Sequence, residues 1–217
     1  MPETCHLVLA HELLDNLPFR RLRRGREILV GADAERLVEV EAPADPALLE
    51  LVPEPLDADE TVVPVGALAF VDEVAARLAD PGYALLIDYG GVGEPGGPVH
   101  GYRDHRIVED VLADPGSTDI TAGVDFALLA RRAESHGLAT FPPVTQRHAL
   151  TALGLDRFIR SELARQAEAL EERRGLDAVR TWEGRGRAAQ LVDPAGLGRL
   201  RWLVLATTGS PAPGFVA

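Results

Sequence analysis

Lysine is missing from this sequence: the 22 basic residues among 217 are all arginine. Chemistry that needs a side-chain amine is thereby excluded, whether a Schiff base, a P-loop lysine or a kinase-type lysine. A lone cysteine, Cys5, can form neither an internal disulfide nor a cysteine-based zinc site. Aromatic residues are scarce at 5%, so the core must be built from Leu, Val and Ala. No apolar run approaches the length of a membrane span, and Met1-Pro2-Glu3 lacks the basic and apolar regions of a secretory signal. A cytoplasmic protein with no membrane contact is the expectation. Cations are outnumbered 22 to 34, for a net charge of −12, which speaks against a nucleic-acid partner or an anionic lipid surface.

What is present suits a folded domain. A chain 46% hydrophobic and 26% charged can bury a core, and its length fits one domain with appendages. Residues 7–10 (Leu-Val-Leu-Ala) read as a buried strand. Phe19–Arg24, Arg26–Gly31 and Arg36–Glu41 read as short strands with turns at Arg24-Gly25 and Gly31–Asp33. Pro43 to Asp59 is loop around a short helical stretch, Pro46–Leu51. The spacing predicts a helix over Pro64–Leu78, stopped by Asp80-Pro81-Gly82, then a buried strand over Ala84–Asp88. This series indicates an α/β sheet of largely parallel strands.

Gly90 to Thr121 reads as a long irregular segment, which in a compact domain is functional or disordered. A helix follows at Asp125–His136, a strand at Leu138–Phe141 and a helix at Gln146–Leu153. Asp156 is expected to cap a helix to about Arg174, with Ile159, Leu163, Ala167 and Leu170 on one apolar face. A weaker helix over Asp177–Leu191 should break around Gly184–Gly186, and Arg201–Ala206 reads as the last strand.

Several constellations could carry chemistry. Gly91-Val92-Gly93-Glu94-Pro95-Gly96 matches a dinucleotide fingerprint after a strand, with an acid at Glu109, but no helix opens behind it to receive a pyrophosphate. His11, Glu12 and Asp15 leave a buried strand at its carboxyl end, where open α/β sheets place ligands. They could accept protons or bind a cation, or the two acids could cap a helical turn. Asp88-Tyr89 stands at a second strand end, where Asp88 could instead satisfy loop amides. His100, Asp104 and His105 offer metal ligands on a loop but no third partner. Asp119, Thr121 and Asp125 lead into a helix, and capping alone accounts for them. No G-x-S-x-G elbow is present.

In this order the segments resemble the MidA-like family of class I S-adenosylmethionine-dependent methyltransferases, which includes an arginine-methylating assembly factor of mitochondrial complex I. The family's N-E-x-x-D-x-x-P is similar to His11-Glu12-Leu13-Leu14-Asp15-Asn16-Leu17-Pro18, and its I-D-Y-G to Ile87-Asp88-Tyr89-Gly90. Its G-T-L-x-x-Y-x-x-H resembles the stretch from Gly97 through Tyr102 to His105, its A-D-L-T-A-H-V-D-F the stretch Thr118–Phe126, and its D-P-A-G-M-G the stretch Asp193–Gly198. Family members are longer. The resemblance implies that their first strands, the Gly-rich loop that cradles the cofactor and the acid that holds its ribose are absent from these residues; His11 also replaces the family's Asn.

The resemblance implies the C-terminal portion of a doubly wound, Rossmann-like methyltransferase sheet. One partial domain would span residues 1–217, with a β insertion at about 19–41, a helical cap at about 145–192 and a flexible tail at 209–217. It implies methyl transfer from S-adenosylmethionine to a protein arginine, given a cofactor-binding half. Glu12, Asp15 and His11 would be catalytic, and Asp88, Tyr89, His105, Asp119, Thr121 and Asp125 would line the pocket, with no metal. A non-catalytic binding or assembly module is the alternative, and a hydrolase or metal enzyme using His11, His100 and His105 a third. Residues 7–10 should form an exposed sheet edge that pairs with a complementing chain or a second copy.

Overall fold

A computed structural model describes residues 2–52, 59–94, 99–104 and 106–207. The chain opens with β1 (Cys5–His11), followed by β2 (Arg20–Arg23), β3 (Arg26–Asp33) and β4 (Arg36–Pro43). The helix α1 (Pro46–Leu49), the strand β5 (Thr61–Val63) and the helix α2 (Val65–Arg77) lead into β6 (Leu78–Asp88). Short strands β7 (Gly90–Gly91), β8 (His100–Arg103), β9 (Arg106–Val108), β10 (Asp119–Thr121) and β11 (Val124–Asp125) precede α3 (Phe126–Ser135). Then come β12 (Ala139–Thr140), β13 (Val144–Thr145), α4 (Gln146–Ala152), α5 (Leu155–Glu171), α6 (Gly175–Leu191) and β14 (Arg201–Ala206).

The main sheet has the order β1-β6-β14-β12, with β13 also on β14. It unites the four strands expected from the sequence, but it is mixed rather than largely parallel. β1 and β6 run parallel, with Leu7 beside Tyr83 and His11 beside Ile87, whereas β14 is antiparallel to β6. The reason is positional. After the helical insertion the chain re-enters beside Asp88, at the carboxyl end of β6, and can only run backwards along it. Pro142 and Pro143 have no N–H to donate, which separates β12 from β13.

Side chains alternate across this sheet. Val8, Ala10, Ala84, Leu86, Leu203 and Leu205 pack against α2 and α3 through Val71, Val74, Phe126 and Leu129. The opposite face buries Ile87, Trp202 and Val204 against Ala149 of α4 and Leu200. That second layer stops short of β1. Leu7 is 71% and Leu9 65% exposed, and among the described residues β1 pairs with β6 alone. The expected exposed apolar edge is present.

The small antiparallel sheet extends further than the strands read from the sequence at about 19–41. Its antiparallel order β4-β3-β2-β5 includes Thr61–Val63, a buried strand too short to show an alternating pattern. The turn at Arg24 and Gly25 has φ of 50° and 75°, the left-handed pair that a tight hairpin needs.

The described residues from 90 to 121 hold more regular structure than the sequence suggested. β8, β9 and β10 form a three-stranded antiparallel sheet, and β7 pairs in parallel with β11. Strands of two to four residues among glycines are below what alternation can reveal.

Three helix details differ from expectation. Gly154, at φ +99°, rather than Asp156 begins α5. Of the expected apolar face, Leu163 is 46% and Leu170 59% exposed, while Glu162 and Ala169 are buried. α6 runs unbroken through Gly184 and Gly186. A Cβ at Gly184 would lie 3.9 Å from Glu162 Oε2, so this glycine faces α5 across the helix pair. The expected tail at 209–217 lies outside the described residues.

Candidate active site

Parallel pairing brings the carboxyl ends of β1 and β6 together. The Glu12 N–H donates to the Ile87 carbonyl (2.9 Å), and Glu12 adopts φ +48°, a strained value for a residue with a side chain. Asp88 holds the turn that follows. It is completely buried, and its Oδ2 accepts from the N–H groups of Leu13 (3.0 Å), Leu14 (2.7 Å) and Asp15 (3.3 Å). Its Oδ1 accepts from the Tyr89 N–H at 2.8 Å. Asp88 therefore lies beneath the site and satisfies loop amides.

Gly90 brings in the third segment. A Cβ there would lie 1.9 Å from the Val124 carbonyl oxygen, so no other residue allows this approach. The Val124 N–H donates to the Tyr89 carbonyl (3.1 Å), and the Ala122 N–H to the Asp15 carbonyl (3.0 Å). The three segments, with β8 and Arg199, surround an open cavity of about 640 Å³ lined by Glu12, Asp15, Asn16, Tyr89, His100, Tyr102, Asp119, Thr121, Ala122, Gly123 and Arg199.

Its electrostatics are dominated by carboxylates. Burial, reinforced by Asp88 and then by Asp119 and Glu12, raises the Asp15 pKa to about 6, although the Asn16 amide donates to its Oδ1 at 2.9 Å. Burial and the neighbouring carboxylates also raise the Tyr89 hydroxyl, with Arg199 opposing them.

The structure brings together Glu12, Asp15, Tyr89, His100, Asp119 and Thr121 of the residues singled out in the sequence. His11 is exposed, with Nδ1 3.6 Å from Glu12 Oε1, and does not line the cavity. Asp125 is a cap, as its alternative reading had it: its Oδ1 accepts from Ala127 and Gly93, both at 2.9 Å. His105 and Gly96 lie outside the described residues. Asn16, Tyr102, Ala122, Gly123 and Arg199 were not expected to line the site; Arg199 follows directly on the Asp193–Gly198 motif, which could have pointed to it. Among the described residues no group of three or more His, Cys, Asp or Glu could hold a metal ion, and no helix is long and apolar enough to cross a membrane.

A family model described as "Putative S-adenosyl-L-methionine-dependent methyltransferase" matches residues 2–144. The chain belongs to this family. A relative from Mus musculus, the mitochondrial protein arginine methyltransferase NDUFAF7, is 35% identical over an alignment of 164 positions that covers 72% of this chain and 37% of that protein. Its counterpart from Danio rerio is 36% identical over an alignment of 166 positions that covers 72% of this chain and 39% of that protein. The chain thus spans about two fifths of the length of these relatives. A crystal structure of a COG1565 superfamily member from Burkholderia thailandensis, bound to S-adenosyl-homocysteine, superposes with a TM-score of 0.76 at 24% identity. The match covers 99% of this chain and 57% of that one. This likeness establishes the methyltransferase fold for the mixed α/β architecture. The cytoplasmic expectation does not stand, because these family relatives are mitochondrial proteins.

Proposed function

We propose that this chain forms the acceptor-binding part of an S-adenosylmethionine-dependent protein arginine methyltransferase. The observation that supports this most directly is the convergence of Glu12, Asp15 and Asp119 on one cavity beside the Tyr89 ring, at the carboxyl ends of β1 and β6. Carboxylates pair with both edges of a planar guanidinium, and an aromatic face can stack on it. The relatives named as protein arginine methyltransferases point to the same acceptor. Glu12, at the exposed end, would bind and orient the guanidinium. Asp15, with its pKa raised to about 6, would accept the proton that a guanidinium nitrogen must lose on gaining a substituent.

The described residues fit the cofactor only in part. Its sulfonium carries the reactive methyl group, and a carboxylate-lined cavity suits that positive charge. The same cavity repels the cofactor's own carboxylate, and the Leu13, Leu14 and Asp15 amides at the end of β1 are already taken by Asp88. We therefore place the main cofactor loop on a further segment that adds to the open edge of β1, where Leu7 and Leu9 await cover. The greater length of the relatives supports this. Alone, the chain should bind S-adenosylmethionine at millimolar Kd or weaker, about 4 kcal/mol.

Calorimetric titration and methyl-transfer assays, with and without the N-terminal part of a relative, test the reading. Turnover of an arginine peptide only in the mixture is expected, and Glu12→Gln should abolish it without changing Tm. Full activity in Glu12→Gln would end the catalytic assignment. Peptide binding with no transfer in the mixture would favour a binding or assembly module. A stable homodimer in sedimentation would assign the β1 edge to a second copy.

A further inference from the structure

Arg199 lines the same cavity as the β1 turn residues Glu12 and Asp15. The turn before it is tight: the Gly196 and Gly198 amides donate to the Asp193 carbonyl at 3.0 and 2.9 Å, and the Arg199 N–H to the Gly196 carbonyl at 3.3 Å. A Cβ on Gly198 would lie 2.6 Å from the Asp193 carbonyl, so the backbone that carries Arg199 has little latitude. The side chain itself is exposed, and its guanidinium carbon lies 5.4 Å from the centre of the Tyr89 ring. It is the arginine among the cavity's described lining, which also includes Glu12, Asp15 and Asp119.

This contact shows that the Tyr89 face accepts a guanidinium, and one ring face holds one such group at a time. We infer that Arg199 is a built-in competitor for the acceptor arginine: its guanidinium stands on the Tyr89 face that an incoming arginine side chain would use, and swings off when that side chain binds. The inference rests on the reading of the cavity as a guanidinium site. It makes Arg199 a residue that sets affinity and not a catalytic one. The tether is short and the side chain exposed, so displacement needs rotation about the Arg199 side-chain bonds and no movement of the fold.

An exposed stacking contact of this kind corresponds to about a two- to fivefold change in an equilibrium constant. The test is fluorescence titration of the whole chain with a labelled arginine peptide and its lysine counterpart, using wild type, Arg199→Gln and Tyr89→Leu, with Tm confirming that each is folded. Arg199→Gln should bind the arginine peptide about two- to fivefold more tightly, and Tyr89→Leu should bind it more weakly. In a Tyr89→Leu background, Arg199→Gln should lose most of its benefit. Weaker binding by Arg199→Gln would overturn the inference and make Arg199 a direct ligand contact. Equal binding by wild type and Arg199→Gln would overturn it while leaving the guanidinium reading intact. No arginine-specific binding by any of the proteins would overturn both.

Discussion

The main sheet ends differently on its two flanks. On the β14 side both faces are covered, by α2 and α3 on one and α4 on the other, and Leu203 and Leu205 are fully buried. On the β1 side one face is covered and the other stops short, leaving two leucines exposed beside a backbone edge that no other described strand pairs with. The same residue type at the same sheet therefore does opposite things. The buried leucines hold this chain together, whereas Leu7 and Leu9 stay largely exposed and add little burial among the described residues.

The sharpest way to break this contrast is to cut into the covered flank. Phe126→Ala removes a fully buried ring between the sheet and α3 and should cost about 3–5 kcal/mol in urea denaturation. A smaller loss would mean that the covered flank is looser than its packing implies. Asp88→Asn comes next. It removes the charge that three amides of the β1 turn share, and hydrogen bonds to charged groups count for about 1.5–3 kcal/mol, so a loss of about 2 kcal/mol is expected.

The site between the flanks has a pH signature. The folded-state pKa of Asp15 is raised from 3.8 to about 6, so the native state keeps a proton that the unfolded chain releases between those values. Stability from this group is fully present below pH 3.8 and is lost as pH rises through 6. Asp15→Asn should therefore raise stability at pH 7.5 by on the order of 1–2 kcal/mol and leave it nearly unchanged at pH 3.5. Melting curves at the two pH values check the sign. A guanidinium bound beside Asp15 should release that proton, which calorimetry in buffers of different ionisation heat would detect.

The smallest expected effect is on the open flank. Leu9→Ser should change stability by less than about 0.5 kcal/mol, as for other surface positions, yet weaken association with a complementing segment or a second copy. A large loss of stability in Leu9→Ser would show that the strand is not free, and the contrast would fail.

What could be read from the sequence was set by the length of each pattern. Strands at 84–88 and 201–206 and the helix at 126–135 are long and apolar enough to declare themselves. Glu12, Asp15 and Tyr89 were readable because a strand end is a defined place. Arg199 was not, since it reaches the cavity by tertiary approach from a distant segment; Asn16 follows Asp15 in the same turn, and only the fold shows that its side chain turns to Asp15 and the cavity. Asp88 and Asp125 show the converse. Both were singled out as pocket acids, and both spend their oxygens on backbone amides. The α5 face failed because periodicity reports an apolar stripe, not whether a neighbour covers it.

The Asp88 carboxylate joins two stretches of chain more than 70 residues apart through four amide protons, on Leu13, Leu14, Asp15 and Tyr89. None of the four can open to solvent without disturbing the acceptor that the other three share. In hydrogen exchange they should behave as one clock, ticking at a common slow rate, although they sit at the rim of a cavity where exchange is otherwise fast. Whatever perturbs Tyr89 should then be felt at Leu13, Leu14 and Asp15 as a change of tempo before any change of shape.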